Sequence, residues 1–272
     1  MASIAVSAAA ALFLKVYLHN HPLPSSFTSR LQKSHFLSPS CCSSRSLKII
    51  NPSNNIIKTD SIAISLSKAE VGGLTDEEIL ARFVKGFFGG LVFAPERALI
   101  AGLKTLKMSF IPVNFAGWFS PSYQFLRTMI EIWLIRCAEG VEVEQKINDL
   151  SQISSTTLPP ANSLFFDSFL LLDSKIGASQ SFIEFGFGDD QKQFSGFHRF
   201  EILRMPEIEE GGDENEKKSS SEVQGEAKLW YSSTSCNPTQ NKPPFPELVM
   251  TFHKAYGGLL FRDGLREVLG RK

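Results

Sequence analysis

Between Ser181 and Met205 the chain alternates apolar and polar side chains, turns on an acidic tip and alternates again. A period of two is the mark of a strand with one buried face, so the stretch predicts a β-hairpin with its tip at Gly188 to Gln191. In the first arm Ile183, Phe185 and Phe187 share one face and Glu184 takes the other. In the second arm Gly196, His198, Phe200, Ile202 and Arg204 face one way, and Phe197, Arg199, Glu201 and Leu203 the other. Arg199 and Glu201 mark the latter as the wetter face, which sends His198, with Phe200 and Ile202, toward the core. The same alternation predicts a strand over Ala227 to Ser233 and a half-exposed one from Val141 to Lys146. The apolar run Leu164 to Leu172 predicts a buried strand.

Elsewhere the period is helical. Thr75 to Glu78 reads T-D-E-E, a capping box, and the apolar face that follows comprises Leu80, Phe83, Val84, Phe87 and Phe88 before Gly89-Gly90 ends it. Pro95 suits the first turn of a second helix with the stripe Leu99, Leu103, Leu106. A third candidate, Tyr123 to Cys137, is interrupted by Arg127, Glu131 and Arg136. It falls short of the roughly 20 apolar residues a bilayer requires, although its apolar character suits contact with a membrane surface. The chain closes on a long helical pattern from Pro246 to Leu269. Its glycines, Gly257, Gly258 and Gly264, each cost about 1 kcal/mol relative to alanine, and so imply a close approach by a backbone or ligand, or a kink.

Composition changes the picture at the N-terminus. Lysine plus arginine balances aspartate plus glutamate over the whole chain, yet no acidic residue occurs from Met1 to Thr59, where Lys15, Arg30, Lys33, Arg45, Lys48 and Lys58 lie among serine, asparagine and proline. That bias is the composition of an organellar transit peptide, and it predicts that residues 1–68 are a disordered, cleavable leader outside the fold. A secretory signal fits less well, because no basic residue precedes the uncharged run Ala2 to Leu14. Abundant serine and an uncharged terminus favour the chloroplast, with the mitochondrion as the alternative. Cleavage between Ser44 and Glu70 leaves a remainder about six charges negative, which disfavours nucleic acid as a partner. The remainder reads as a helical region, 69–140, followed by 141–272, an antiparallel sheet plus the terminal helix. Residues 206–225, almost all charged or small, predict a flexible loop. The fold class is α+β.

Reaction signatures are scarce. Gly186 and Gly188 begin a G-x-G that lacks its third glycine and lies in a strand, and no phosphate loop, zinc-protease motif or esterase elbow occurs. Cys137 and Cys236 stand apart, without metal-ligand spacing, so no metal or cofactor is expected. His198 and His253 lie on different elements and converge if the last helix covers the sheet. With Asp173 or Glu184 nearby they would form an acid–base pair. Phenylalanine, with 23 copies against 4 tyrosines and 3 tryptophans, falls mostly on inward faces, where it packs a core or lines an apolar pocket.

The order of elements, with G-F-H-R-F-E-I at 196–202 and C-N-P, F-H-K-A-Y and L-F-R-D-G-L-R-E-V-L between 236 and 269, resembles the helix-grip architecture of the START-like superfamily of polyketide cyclases and lipid carriers. The wording is similar to plant and algal plastid proteins of that type. The resemblance covers about residues 140–272. It implies a curved antiparallel sheet wrapped on the last helix around an apolar cavity, and no shared catalytic residue. Three functions follow as expectations. The first is a carrier of an apolar small molecule or lipid held by His198, Phe200, Arg204, Tyr231, Phe252 and Tyr256. The second is a non-catalytic assembly or biogenesis factor that docks on a thylakoid membrane or a protein through Phe87, Phe88 and Trp133. The third is a cyclase or isomerase that uses His198 or His253 as a proton shuttle.

Overall fold

The structure, a computed structural model, describes Tyr17, residues 23–105, Val113, Phe115, and residues 143–204 and 226–270, with side chains omitted at 103–105. The helix expected over 123–137, with Trp133 and Cys137, and the acidic loop 206–225 lie outside the described residues. The chain divides into two compact units, Met1–Leu31 and Gln32–Lys272. The described part of the first holds a short helix, α1 (Ser25–Thr28), and the Arg30 guanidinium lies 4.7 Å from the Phe27 ring centroid.

The second unit is an α+β fold built on one curved sheet of eight strands: β1 (Gln32–Ser34), β2 (Ile57–Leu66), β3 (Gln145–Ile147), β4 (Ser163–Phe165), β5 (Phe169–Lys175), β6 (Gln180–Asp189), β7 (Phe194–Arg204) and β8 (Ala227–Cys236). Their spatial order is β1-β2-β8-β7-β6-β5-β4-β3. Neighbours are antiparallel except β3 and β4. The helices are α2 (Arg45–Ile50), α3 (Lys68–Val71), α4 (Asp76–Gly89), α5 (Ala94–Thr105) and α6 (Glu247–Val268). No helix among the described residues is long and apolar enough to cross a membrane.

The hairpin forms as the alternation predicts, with Phe185 opposite His198 and Glu184 opposite Arg199. The run expected as a single strand over 164–172 instead breaks into β4 and β5, because Phe166 and Asp167 both adopt positive φ and turn the chain back on itself. Helix α4 starts at the expected cap, where the Thr75 backbone N–H donates to the Glu78 carboxylate at 2.8 Å and the Glu78 N–H donates to the Thr75 hydroxyl at 3.2 Å. It packs on both the sheet and α6. At the crossing, a Cβ on Gly86 would meet the Asp263 carbonyl oxygen at 2.5 Å and the Gly264 Cα at 2.9 Å. The glycines are therefore where the two backbones touch, and α6 runs through all of its own without a break. Asp263 adds a tie, accepting from the Val92 N–H at 2.9 Å and so holding the turn after α4.

The expectation that residues 1–68 stay outside the fold is corrected from Gln32 onward. All ten residues of β2 pair with β8, and Ile62, Ile64 and Leu66 are buried against the helices. Residues 36–50 cover the opposite face, where Cys41, Ile49 and Ile50 pack with Phe115, Leu170, Leu172, Phe197 and Cys236.

That cover also corrects the reading of Arg199 and Glu201 as solvent-facing: with Glu184, both are buried. The Arg199 guanidinium donates to Glu184 and, at 3.2 Å, to Glu201, and it lies 3.9 Å from the Phe182 ring centroid. Ser38 and Ser40 donate to the Glu201 carboxylate and Ser44 donates to Glu184 at 2.9 Å. Buried carboxylates need such donors. Burial by itself would raise the Glu201 carboxyl, but Arg199 and the two hydroxyls hold it below its ordinary range. The acid-free, serine-rich composition that reads as a leader thus supplies hydroxyl donors to acids on the sheet.

Candidate functional site

The inward face of the sheet carries a polar row across three strands. Asp60 on β2 lies opposite Ser233 on β8, and Ser233 lies opposite His198 on β7. Directly paired residues share a face, so all three point toward α6. Two residues along, on the same face, Phe200 pairs with Tyr231. Helix α6 lays His253 and Tyr256 over this row, the α4–α5 connection brings Phe93, and the first turn of α5 brings Glu96.

Between these elements lies a cavity of about 110 Å³. Its walls are the rings of Phe87, Phe93, Phe169, Phe187 and Phe194. Its polar lining is His198, Tyr231, His253, Tyr256 and Glu96. The sequence expects His198, Tyr231 and Tyr256 at the site, and the fold brings those three together. It does not bring in the others. Phe200 is fully buried between Phe83 and Phe87, with ring centroids at 4.9 and 4.8 Å. Arg204 instead pairs with Asp76 at the start of α4, donating from Nε at 2.8 Å. Phe252 is 63% exposed and stacks on Tyr256 from outside the cavity. Phe87 and Phe88, assigned to membrane or partner docking, are core residues and present no surface.

The hydrogen bonds fix which atoms are free. His198 Nδ1 and the Tyr231 hydroxyl share a bond at 3.2 Å, and His253 Nε2 and the Ser233 hydroxyl share one at 3.1 Å. Nε2 of His198 and Nδ1 of His253 are left without partners among the described residues. The two imidazoles lie nearly parallel, 13° apart in plane, with centroids 6.2 Å apart. Tyr256 donates to Glu96 Oε2 at 2.9 Å, and Glu96 Oε1 has no partner among the described residues.

Burial sets the protonation states. It pushes His198 well below its ordinary pKa, aided by the neighbouring His253, and lowers His253 as well. Burial also raises Tyr231 and Tyr256, each with help from a nearby carboxylate. Glu96 is raised by burial against the opposing bond from Tyr256, and Asp60 is raised to about 6 by burial against the opposing charge of Lys254. At neutral pH the imidazoles are therefore neutral and the phenols protonated. Such a set donates and accepts hydrogen bonds and moves protons, but among the described residues no group of three or more ligating side chains could hold a metal.

Glu96, Asp60 and the five cavity phenylalanines escape the sequence reading as site residues. Period-two alternation finds His198 and Tyr231, but it is silent on which turn of a covering helix lands above them. Asp60 is hidden by its position in the leader-like segment.

The chain matches no known protein family, no curated protein and no solved structure.

Proposed function

We propose that this protein binds a small organic molecule in the cavity between the sheet and α6, the reading also implied by its resemblance to helix-grip carriers. The observation that supports it most is the convergence of two imidazoles, two phenols and a carboxylate on one phenylalanine-walled space. Ligand sites combine mostly apolar walls with a few placed polar groups.

Size narrows the guest. Drug-sized ligands occupy pockets of roughly 300–1,000 Å³, whereas a dry cavity of about 150 Å³ accepts benzene. At about 110 Å³ the space suits a single ring or a compact branched group. A whole lipid is too large, so any lipid would enter by one end only.

Differential scanning fluorimetry of the full chain against a set of compact guests, with native mass spectrometry of the hits, tests this. A guest at 100 times its Kd stabilises by about 2.7 kcal/mol, which raises Tm by roughly 5–10 °C for a domain of this size. If no compact guest moves the melting temperature and none is retained in the mass spectrometer, the reading is wrong.

A second reading, proton transfer on the bound guest, draws on the spacing of the two neutral imidazoles. It makes activity depend on both His198 and His253. Chloroplast import stays part of the proposal, with processing ahead of Gln32, because a later cut removes first β1, then the serine donors of residues 38–44 and finally β2. The N-terminal residue of the protein recovered from plastids tests that placement.

A further inference from the structure

The lining of the cavity is unusual in what it lacks as much as in what it holds. Its imidazoles are neutral, its walls are largely aromatic, and the one carboxylate in its lining is that of Glu96. Resting on the binding reading above, we propose that the guest carries a positive charge: the site is an aromatic cage for a small quaternary or tertiary ammonium group, closed by Glu96.

Four observations carry this. Phe87, Phe93, Phe169, Phe187, Tyr231 and Tyr256 all contribute rings to a single space, and a cation within about 6 Å of several ring centroids is attracted by each quadrupole, most strongly where water is excluded. Glu96 uses only Oε2 on Tyr256 and keeps Oε1 for a counter-charge. Of the nearby cations, Lys254 faces Asp60, and Arg97 donates to the Phe88 and Gly90 carbonyls with its guanidinium 5.8 Å from the Phe93 ring centroid, so Phe93 is shared and the other rings are left to the guest. A trimethylammonium group is compact, as a space of about 110 Å³ requires, which is smaller than the cavity of about 150 Å³ that accepts benzene.

Behind the cage, Asp60 and Ser233 extend the polar row away from the rings. The titratable groups that face the space or stand behind it are therefore Asp60 from β2, His198 from β7, Tyr231 from β8, Glu96 and Arg97 from α5, and His253, Lys254, Tyr256 and Asp263 from α6. Two imidazoles that resist protonation suit a cationic guest, because neither adds a charge that would repel it.

Isothermal titration of the full chain with choline, and with its uncharged isostere 3,3-dimethylbutan-1-ol, separates charge from shape. Choline is expected to bind at least tenfold more tightly than the alcohol. Glu96→Gln should narrow that preference by at least threefold while leaving the affinity for the alcohol within twofold. Phe187→Leu, which removes a ring but keeps apolar bulk, provides a second variant should Glu96→Gln fold poorly, and it should weaken choline more than the alcohol. Equal affinity for the two probes overturns the cage and leaves the pocket standing. Binding of neither overturns the cage, and the pocket then stands or falls on the screen of compact guests.

Discussion

Moving the start of the chain from Gln32 to Ala69 is the sharpest perturbation of the fold. The deletion removes β1 and β2, and with them Ile62, Ile64 and Leu66, all buried. Burying a large aliphatic side chain is worth about 1.5–3 kcal/mol, so these three residues alone supply roughly 5–9 kcal/mol by the same scale. A domain's whole stability is about 5–15 kcal/mol. The deletion also bares the ladder edge of β8 along its length and uncovers Arg199, Glu184 and Glu201, whose serine donors lie in residues 38–44. The chain from Ala69 is therefore expected to show no cooperative transition in urea, followed by circular dichroism and tryptophan fluorescence. The chain from Gln32 is expected to unfold cooperatively. If the shorter chain unfolds with the midpoint and slope of the longer one, β2 is dispensable and the reasoning fails.

Three further outcomes follow from single sites. Arg199→Met leaves two buried carboxylates without their cation and should cost about 3–5 kcal/mol, read from urea midpoints at neutral pH; a loss below 1 kcal/mol contradicts the burial of the cluster. Asp60 is raised from 3.8 to about 6, so the fold favours its protonated form: its contribution is intact below pH 3.8 and is lost as pH rises through about 6. Asp60→Asn should accordingly stabilise the protein by up to about 3 kcal/mol above pH 7 and by nothing near pH 4, and a gain that ignores pH refutes the assignment. Gly86→Ala would gain about 1 kcal/mol from helix propensity alone, but its Cβ has no room beside Asp263 and Gly264. Overpacking of about 1–3 kcal/mol should win, and thermal denaturation that shows net stabilisation contradicts the close crossing.

What the sequence made legible follows from how local each signal is. The capping box at Thr75, the β6–β7 alternation and the inward direction of His198 depend on neighbours a few residues away, and all three stand in the structure. Arg199 and Glu201 were misleading because charge marks a wet face only when nothing covers it. Their cover comes from residues about 160 positions earlier in the chain. The same distance hid β2, whose Ile62-Ile64-Leu66 alternation sits inside a segment with the composition of a leader. At the site, Tyr231 was readable from its strand. His253 was expected beside His198 on the condition that the last helix covers the sheet, and it is there, whereas Glu96 depends on where α5 settles over the sheet, which no local pattern encodes.

The most direct test of the central claim is a titration of the full chain with choline, followed through the imidazole nitrogen resonances of His198 and His253 by long-range proton–nitrogen NMR. Both residues line the cavity, so both sets of resonances should shift together and saturate with one dissociation constant, while those of His35, exposed and outside the cavity lining, stay still. Imidazole signals that do not move while the protein demonstrably binds the guest elsewhere would contradict the account.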